Sequence, residues 1–163
     1  MKTLLRTILL LSLIVWLGAE IFFPIVATIT FTTLAPETHM AGSIVGHLLR
    51  ILHGMGLVSG MIALAVLAVA PVVSLYKPRA VLAPMILLVA MIAGTVTSQY
   101  GIIPAMERDR IDAGGAIDTT SPANPNTAHF NALHRRSKNV EGAILLLGLC
   151  VVVLTALAEN AKS

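Results

Sequence analysis

The chemistry this sequence offers rests on eight side chains: Glu20, His47, Arg50, His53, Gln99, His134, Ser137 and Glu141. All fall within or beside long apolar runs. An ionisable group in hydrocarbon is costly, about 2.5–3.5 kcal/mol for a central Arg on insertion scales. It persists there with a partner, a water-filled pocket or a ligand. The densest stretch is Gly46–Gly56, where His47, Arg50, His53 and Gly54 share one broad face of a helix. His134, Ser137, Lys138 and Glu141 follow an i, i+3, i+4, i+7 spacing and share a face of another. Glu20 or Glu141 beside Arg50 would form the buried ion pair that lipid favours. Arg50 also offers charge to an anion. His53 and His134 are the candidate metal ligands, although the chain holds no His-x-x-x-His, no cysteine pair and no methionine cluster at ligand spacing.

Composition says what must hold these groups. Of 163 residues, 56% are hydrophobic and 12% charged, and mean hydropathy is +0.88. A soluble domain carries about twice that charge, so the chain reads as a polytopic membrane protein. The formal charge of +3 comes mostly from Lys and Arg at segment ends, where they set orientation or meet headgroups. No basic patch interleaved with aromatics suggests nucleic acid. Cys150 is the single cysteine and sits among aliphatic residues, where it is expected to be a small buried hydrophobe.

Spans need about 20 mostly apolar residues. Four segments qualify, at about 4–34, 40–75, 79–112 and 127–159, with a polar loop at about 113–126. The first begins like a signal peptide, but its apolar run continues to Phe31, longer than an h-region of about 7–15 residues. It is expected to remain as an uncleaved span. All four must be helical, because a lone strand cannot satisfy its backbone in lipid and no alternating pattern suggests a barrel. The expected fold is all-α: an antiparallel four-transmembrane-helix bundle in one domain. Pro36 marks a short first turn and Tyr76–Arg79 a tight hairpin. Gly114 and Gly115 would end the third helix beyond the membrane, and Asn126 or Thr127 is placed to cap the fourth. Small-xxx-small patterns at Gly56/Gly60, Ala90/Gly94/Ser98 and Ala93/Thr97/Gly101 would let backbones approach.

The polar residues fall at one height. With helix ends near Thr32, Met40, Asp112 and Thr127, Glu20 lies about 18 Å from the long-loop end and Arg50 about 15 Å. His53, Gln99 and Glu141 each lie about 20 Å from it. A polar layer contributed by four helices is expected, and the opposite half of the bundle is nearly featureless. The flanks of the first helix, Lys2 and Arg6 against Glu37, lead to the expectation that both termini are cytoplasmic.

Trp16–Phe23, Arg50–His53 and Phe130–Ser137 resemble bacterial members of the transmembrane protein 205-like family. That resemblance implies a four-helix integral membrane protein without a settled biochemical activity. The architecture is also distantly similar to copper-resistance D-like proteins and membrane protoporphyrinogen oxidases, whose small His-bearing bundles handle copper or haem. None of their histidines is carried over to a position here.

Three functions remain open. The polar layer is mainly structural in an accessory membrane protein whose partner is the lipid bilayer. Alternatively, Arg50 and the histidines serve a binding or transport module for a small polar ligand or metal. A third reading makes His53 an axial ligand in a haem-binding redox protein. No cofactor is required by the sequence. An enzyme is not favoured: Ser59, Ser98 and Ser137 lack a Gly-x-Ser-x-Gly context.

Overall fold

The structure, a computed structural model, describes residues 1–121 and 123–160, apart from the side chains of Asp118 and Asn160. Among these, every regular element is helical: α1 (Lys2–Thr33), α2 (Thr38–Val69), α3 (Pro78–Thr97), a π-helical turn (Ser98–Ile102), α4 (Ile103–Asp112) and α5 (Pro125–Asn160). A 3₁₀ turn (Ile117–Thr119) lies in the long connection. α3, the π turn and α4 run on as one continuous span. Four segments are thus long and apolar enough to cross a membrane.

The four spans close a ring: α1 packs on α2, α2 on α3, α3 on α5, and α5 back on α1. Arg6 of α1 reaches Glu159 of α5 at 2.6 Å, and the Tyr76 hydroxyl donates to the same carboxylate at 3.2 Å. The amino terminus, the α2–α3 turn and the end of α5 therefore meet on one side. Outward faces carry Leu11, Ile14, Phe22, Ile25, Val58 and Leu146, all about half exposed or more; Cys150, expected to be buried, is exposed, on an outward-turned position of α5. A water-facing surface this apolar would be untenable, and lipid is the solvent that suits it. Several hydroxyls within the spans are satisfied by their own helix. Ser12, Thr30, Thr95 and Thr155 each donate to the carbonyl four residues back.

Local chemistry sets the boundaries. α2 stops at Val69 rather than near residue 75, because Pro71 has no N–H to give Leu67 and its ring would clash there. The chain turns instead, and the Ala70 carbonyl accepts from the amides of Leu75 and Tyr76. α4 ends as expected at Gly114 and Gly115, with φ of +90° and +94°. The Gly115 amide donates to Arg110 and the Gly114 amide to Ile111, the paired bonds of a Schellman motif. α5 begins at Pro125, two residues before the expected start. Its cap is Asn124, whose Oδ1 accepts from the Asn126 amide at 2.9 Å.

The Gly56/Gly60 pattern has a definite occupant. A Cβ on Gly56 would stand 2.5 Å from Trp16 Nε1, and one on Gly60 2.5 Å from Trp16 Cζ3. The two glycines form the seat on which the indole of α1 lies, and Trp16 is 1% exposed. Gly148 of α5 likewise receives Leu17. Lacking a hydrophobic drive between helices, the bundle gains its cohesion from such close contact.

Candidate functional site

His53 lies at mid-length of α2 and is wholly buried. Its Nδ1 is 3.0 Å from Gln99 Oε1, on the π turn, and its Nε2 is 3.0 Å from Glu141 Oε1, on α5. Ser98 donates its hydroxyl to the same Glu141 oxygen at 2.9 Å. With Gln99 Oε1 facing the ring, both imidazole nitrogens donate; with the amide turned over, Nδ1 accepts from the amide. In either setting Nε2–H donates to the Glu141 carboxylate. The ring thereby ties α2 to the third span and to α5.

Glu20 of α1 completes the group. It is 4% exposed and near enough to feel the charges of Glu141 and His53. Glu141 Oε2 is buried without a hydrogen-bond partner, and the indole N–H of Trp16 is the donor that stands beside Glu20. Trp16 precedes Glu20 by one helical turn, so the two lie on the same face of α1.

The π turn is what lets the third span contribute two groups. Ser98 and Gln99 are adjacent and would diverge by about 100° on a regular helix. The Ile103 amide donates to the Ser98 carbonyl, an i to i+5 bond that widens the turn. Pro104, which lacks an N–H and would crowd the Tyr100 carbonyl in a regular helix, follows immediately. Both neighbours then reach α2 and α5. Ser98 was not among the residues expected from sequence; Pro104 behind a polar pair is the signal that would have found it.

Of the eight expected residues, Glu20, His53, Gln99 and Glu141 come together. The other four do not. Arg50 forms no ion pair with Glu20 or Glu141: it is half-buried, and its guanidinium makes no hydrogen bond or ion pair among the described residues. It precedes His53 by three residues, so it is offset by about 60° and one turn toward the long loop. His47 is exposed and bonds back to the Ser43 carbonyl at 2.8 Å. His134 is also exposed and stacks on Phe130, with ring centroids 6.3 Å apart. Ser137 is buried, 5% exposed, away from the His53 hydrogen bonds. His129, outside the eight, pairs through Nδ1 with Asp109 Oδ2 at 2.8 Å and so pins α5 to α4 beyond the apolar region.

Among the described residues no three His, Cys, Asp or Glu side chains are disposed to hold a metal ion. His53 spends both ring nitrogens on protein partners, and His134 stands apart from it. Apolar hollows at Pro24–Ile29 and between α3 and α5 at Leu87, Leu149 and Val153 include none of the cluster residues.

Fold and cluster together define a multi-pass integral membrane protein, a four-span helical bundle with buried polar groups between its helices. The chain belongs to the family described as Domain of unknown function (DUF4149), whose profile matches residues 11–111. That stretch covers Trp16, Glu20, His53, Ser98 and Gln99 and stops short of Glu141. No curated protein and no solved structure matches the chain.

Proposed function

We propose that this is an accessory, structural membrane protein of the bacterial inner membrane, with both termini cytoplasmic, in which the His53 cluster serves as an interhelical clasp. One observation carries the reading: a fully buried imidazole bonded on one side to Gln99 and on the other to Glu141. A ligand-binding histidine keeps one nitrogen free for its ligand, and His53 keeps none. That weighs against haem or metal ligation through His53, and the exposure of His134 weighs against it as a second ligand. The resemblance to the transmembrane protein 205-like family fits the same reading, since it implies an integral membrane protein and no particular chemistry. The lipid bilayer is the partner that the outward faces call for.

The test is one preparation of the full chain in mild detergent. The clasp reading expects His53→Ala to melt well below the wild type, with no Soret band and no stoichiometric metal in either protein. A Soret band or a bound metal that disappears in His53→Ala would replace the clasp with a cofactor site.

A further inference from the structure

We propose that Arg50 holds the phosphate of an anionic phospholipid in the leaflet on the long-loop side. The His53 contacts supply a ruler for its height. His53 touches both Gln99 and Glu141 at 3.0 Å, so residues 53, 99 and 141 share one level in the bundle. α2 and α5 both start on the long-loop side, and the third span ends there. At 1.5 Å per residue, Arg50 and Lys138 each stand about 4.5 Å above that level, toward the long loop, and Arg136 and Arg135 about 7–9 Å above it. No carboxylate shares this band. The third span crosses it as Tyr100–Met106, and α1 carries no acid after Glu20. The first acid met on any span is Glu107, about 12 Å up, and Arg110 already bonds it at 2.6 Å.

Arg50 differs from the other three cations in being half-buried, where they are exposed. An ionised group set into an apolar span needs a counter-charge, and the described residues give it none. The level suits a headgroup. From Lys138 to Glu159, where Arg6 and Tyr76 close the opposite end, the helix rises about 32 Å, the thickness of a hydrocarbon core. Arg50, at the height of Lys138, thus stands at the edge of the apolar layer. A helical side chain leans over the turn before its own Cα, which for Arg50 is the turn of Gly46, toward the long loop. A Cβ on Gly46 or on Gly42 would meet nothing within 4 Å, so the way up along α2 is open. A guanidinium that snorkels along it reaches lipid phosphates and can donate two parallel, charge-assisted hydrogen bonds to one of them. The opposite charge comes from the bilayer instead of the chain.

The test takes the full chain in dodecyl maltoside micelles, adds phosphatidylglycerol or phosphatidylcholine, and reads thermal melting and native mass spectra. Phosphatidylglycerol should leave a retained lipid adduct and raise the melting temperature by about 3 °C or more at saturation, because a ligand bound only by the folded state stabilises it. Phosphatidylcholine, whose headgroup has no net charge, should do neither. Arg50→Gln and Arg50→Leu should each lose the adduct and most of the rise. Lys138→Gln, at the same height on another helix, should keep both. The proposal is overturned by a wild type without the adduct, by equal effects of phosphatidylcholine, by both Arg50 variants keeping adduct and rise, or by an equal loss in Lys138→Gln. Inorganic phosphate and glycerol phosphate distinguish the source. If either gives a rise as large as phosphatidylglycerol's that disappears in Arg50→Gln, the ligand is a free phosphate and the lipid site falls. The clasp reading survives every one of these results, since no Arg50 variant alters His53, Gln99 or Glu141.

Discussion

His53 and Glu141 are 88 residues apart in the chain and 3.0 Å apart in the fold. Their contact joins the second and fourth spans at a level where neither group has water to turn to, with Gln99 holding the imidazole from the far side. Gln99→Leu would strip Nδ1 of its partner inside the bundle. An unsatisfied buried polar atom costs about 1–3 kcal/mol, so this variant should melt below the wild type in detergent. Arg50→Leu should differ by no more than about 0.5 kcal/mol, as substitutions away from such networks do. A large loss in Arg50→Leu would show that its charge is tied to the bundle after all.

The seat of Trp16 gives a second expectation. A methyl group at Gly56 or Gly60 would stand 2.5 Å from indole atoms, closer than real Cβ contacts come. Overpacking of this kind costs about 1–3 kcal/mol. Gly56→Ala and Gly60→Ala should therefore each lower stability. The same change at Gly54, where an added Cβ meets nothing within 4 Å, should not. Thermal melting of the three variants side by side makes the comparison internal.

At the opposite end, burial holds the Tyr76 phenol above its usual value of 10.0, and the Glu159 carboxylate adds to the effect while Arg6 works against it. The stability this contributes is fully present below the ordinary tyrosine value and is lost as pH climbs through the raised one. Replacing Glu159 with Gln removes the carboxylate and should bring the titration midpoint down. Ultraviolet titration in a Tyr100→Phe background, where Tyr76 is the remaining tyrosine, reads it directly. The accompanying Arg6–Glu159 pair is about 40% exposed on both sides, so the Gln variant should cost at most about 1 kcal/mol of stability.

Much of this architecture is legible before any coordinates. Span number follows from apolar length, and the common height of Glu20, His53, Gln99 and Glu141 follows from a rise of 1.5 Å per residue. Azimuth is harder. Arg50 and His53 share a face only to within about 60°, and that interval separates a half-exposed guanidinium from a buried ring. Counting along a regular helix also hides Ser98, because the π turn before Pro104 departs from the regular angle. The end of α2 at Val69 was signalled by Pro71, which an apolar run through residue 75 outweighs when hydropathy alone is counted. Partner choice was the least legible: nothing in the spacing distinguishes His53 from Arg50 as the companion of Glu141.

A double-mutant cycle between His53 and Glu141, using His53→Ala, Glu141→Ala and the pair, measures the clasp most directly. Polar contacts between membrane helices couple by about 0.6 kcal/mol on average and up to about 1.7. With a wholly buried ring as one partner, a coupling in the upper half of that range is expected from unfolding in detergent. Strictly additive losses, or two single variants as stable as the wild type, would contradict the account.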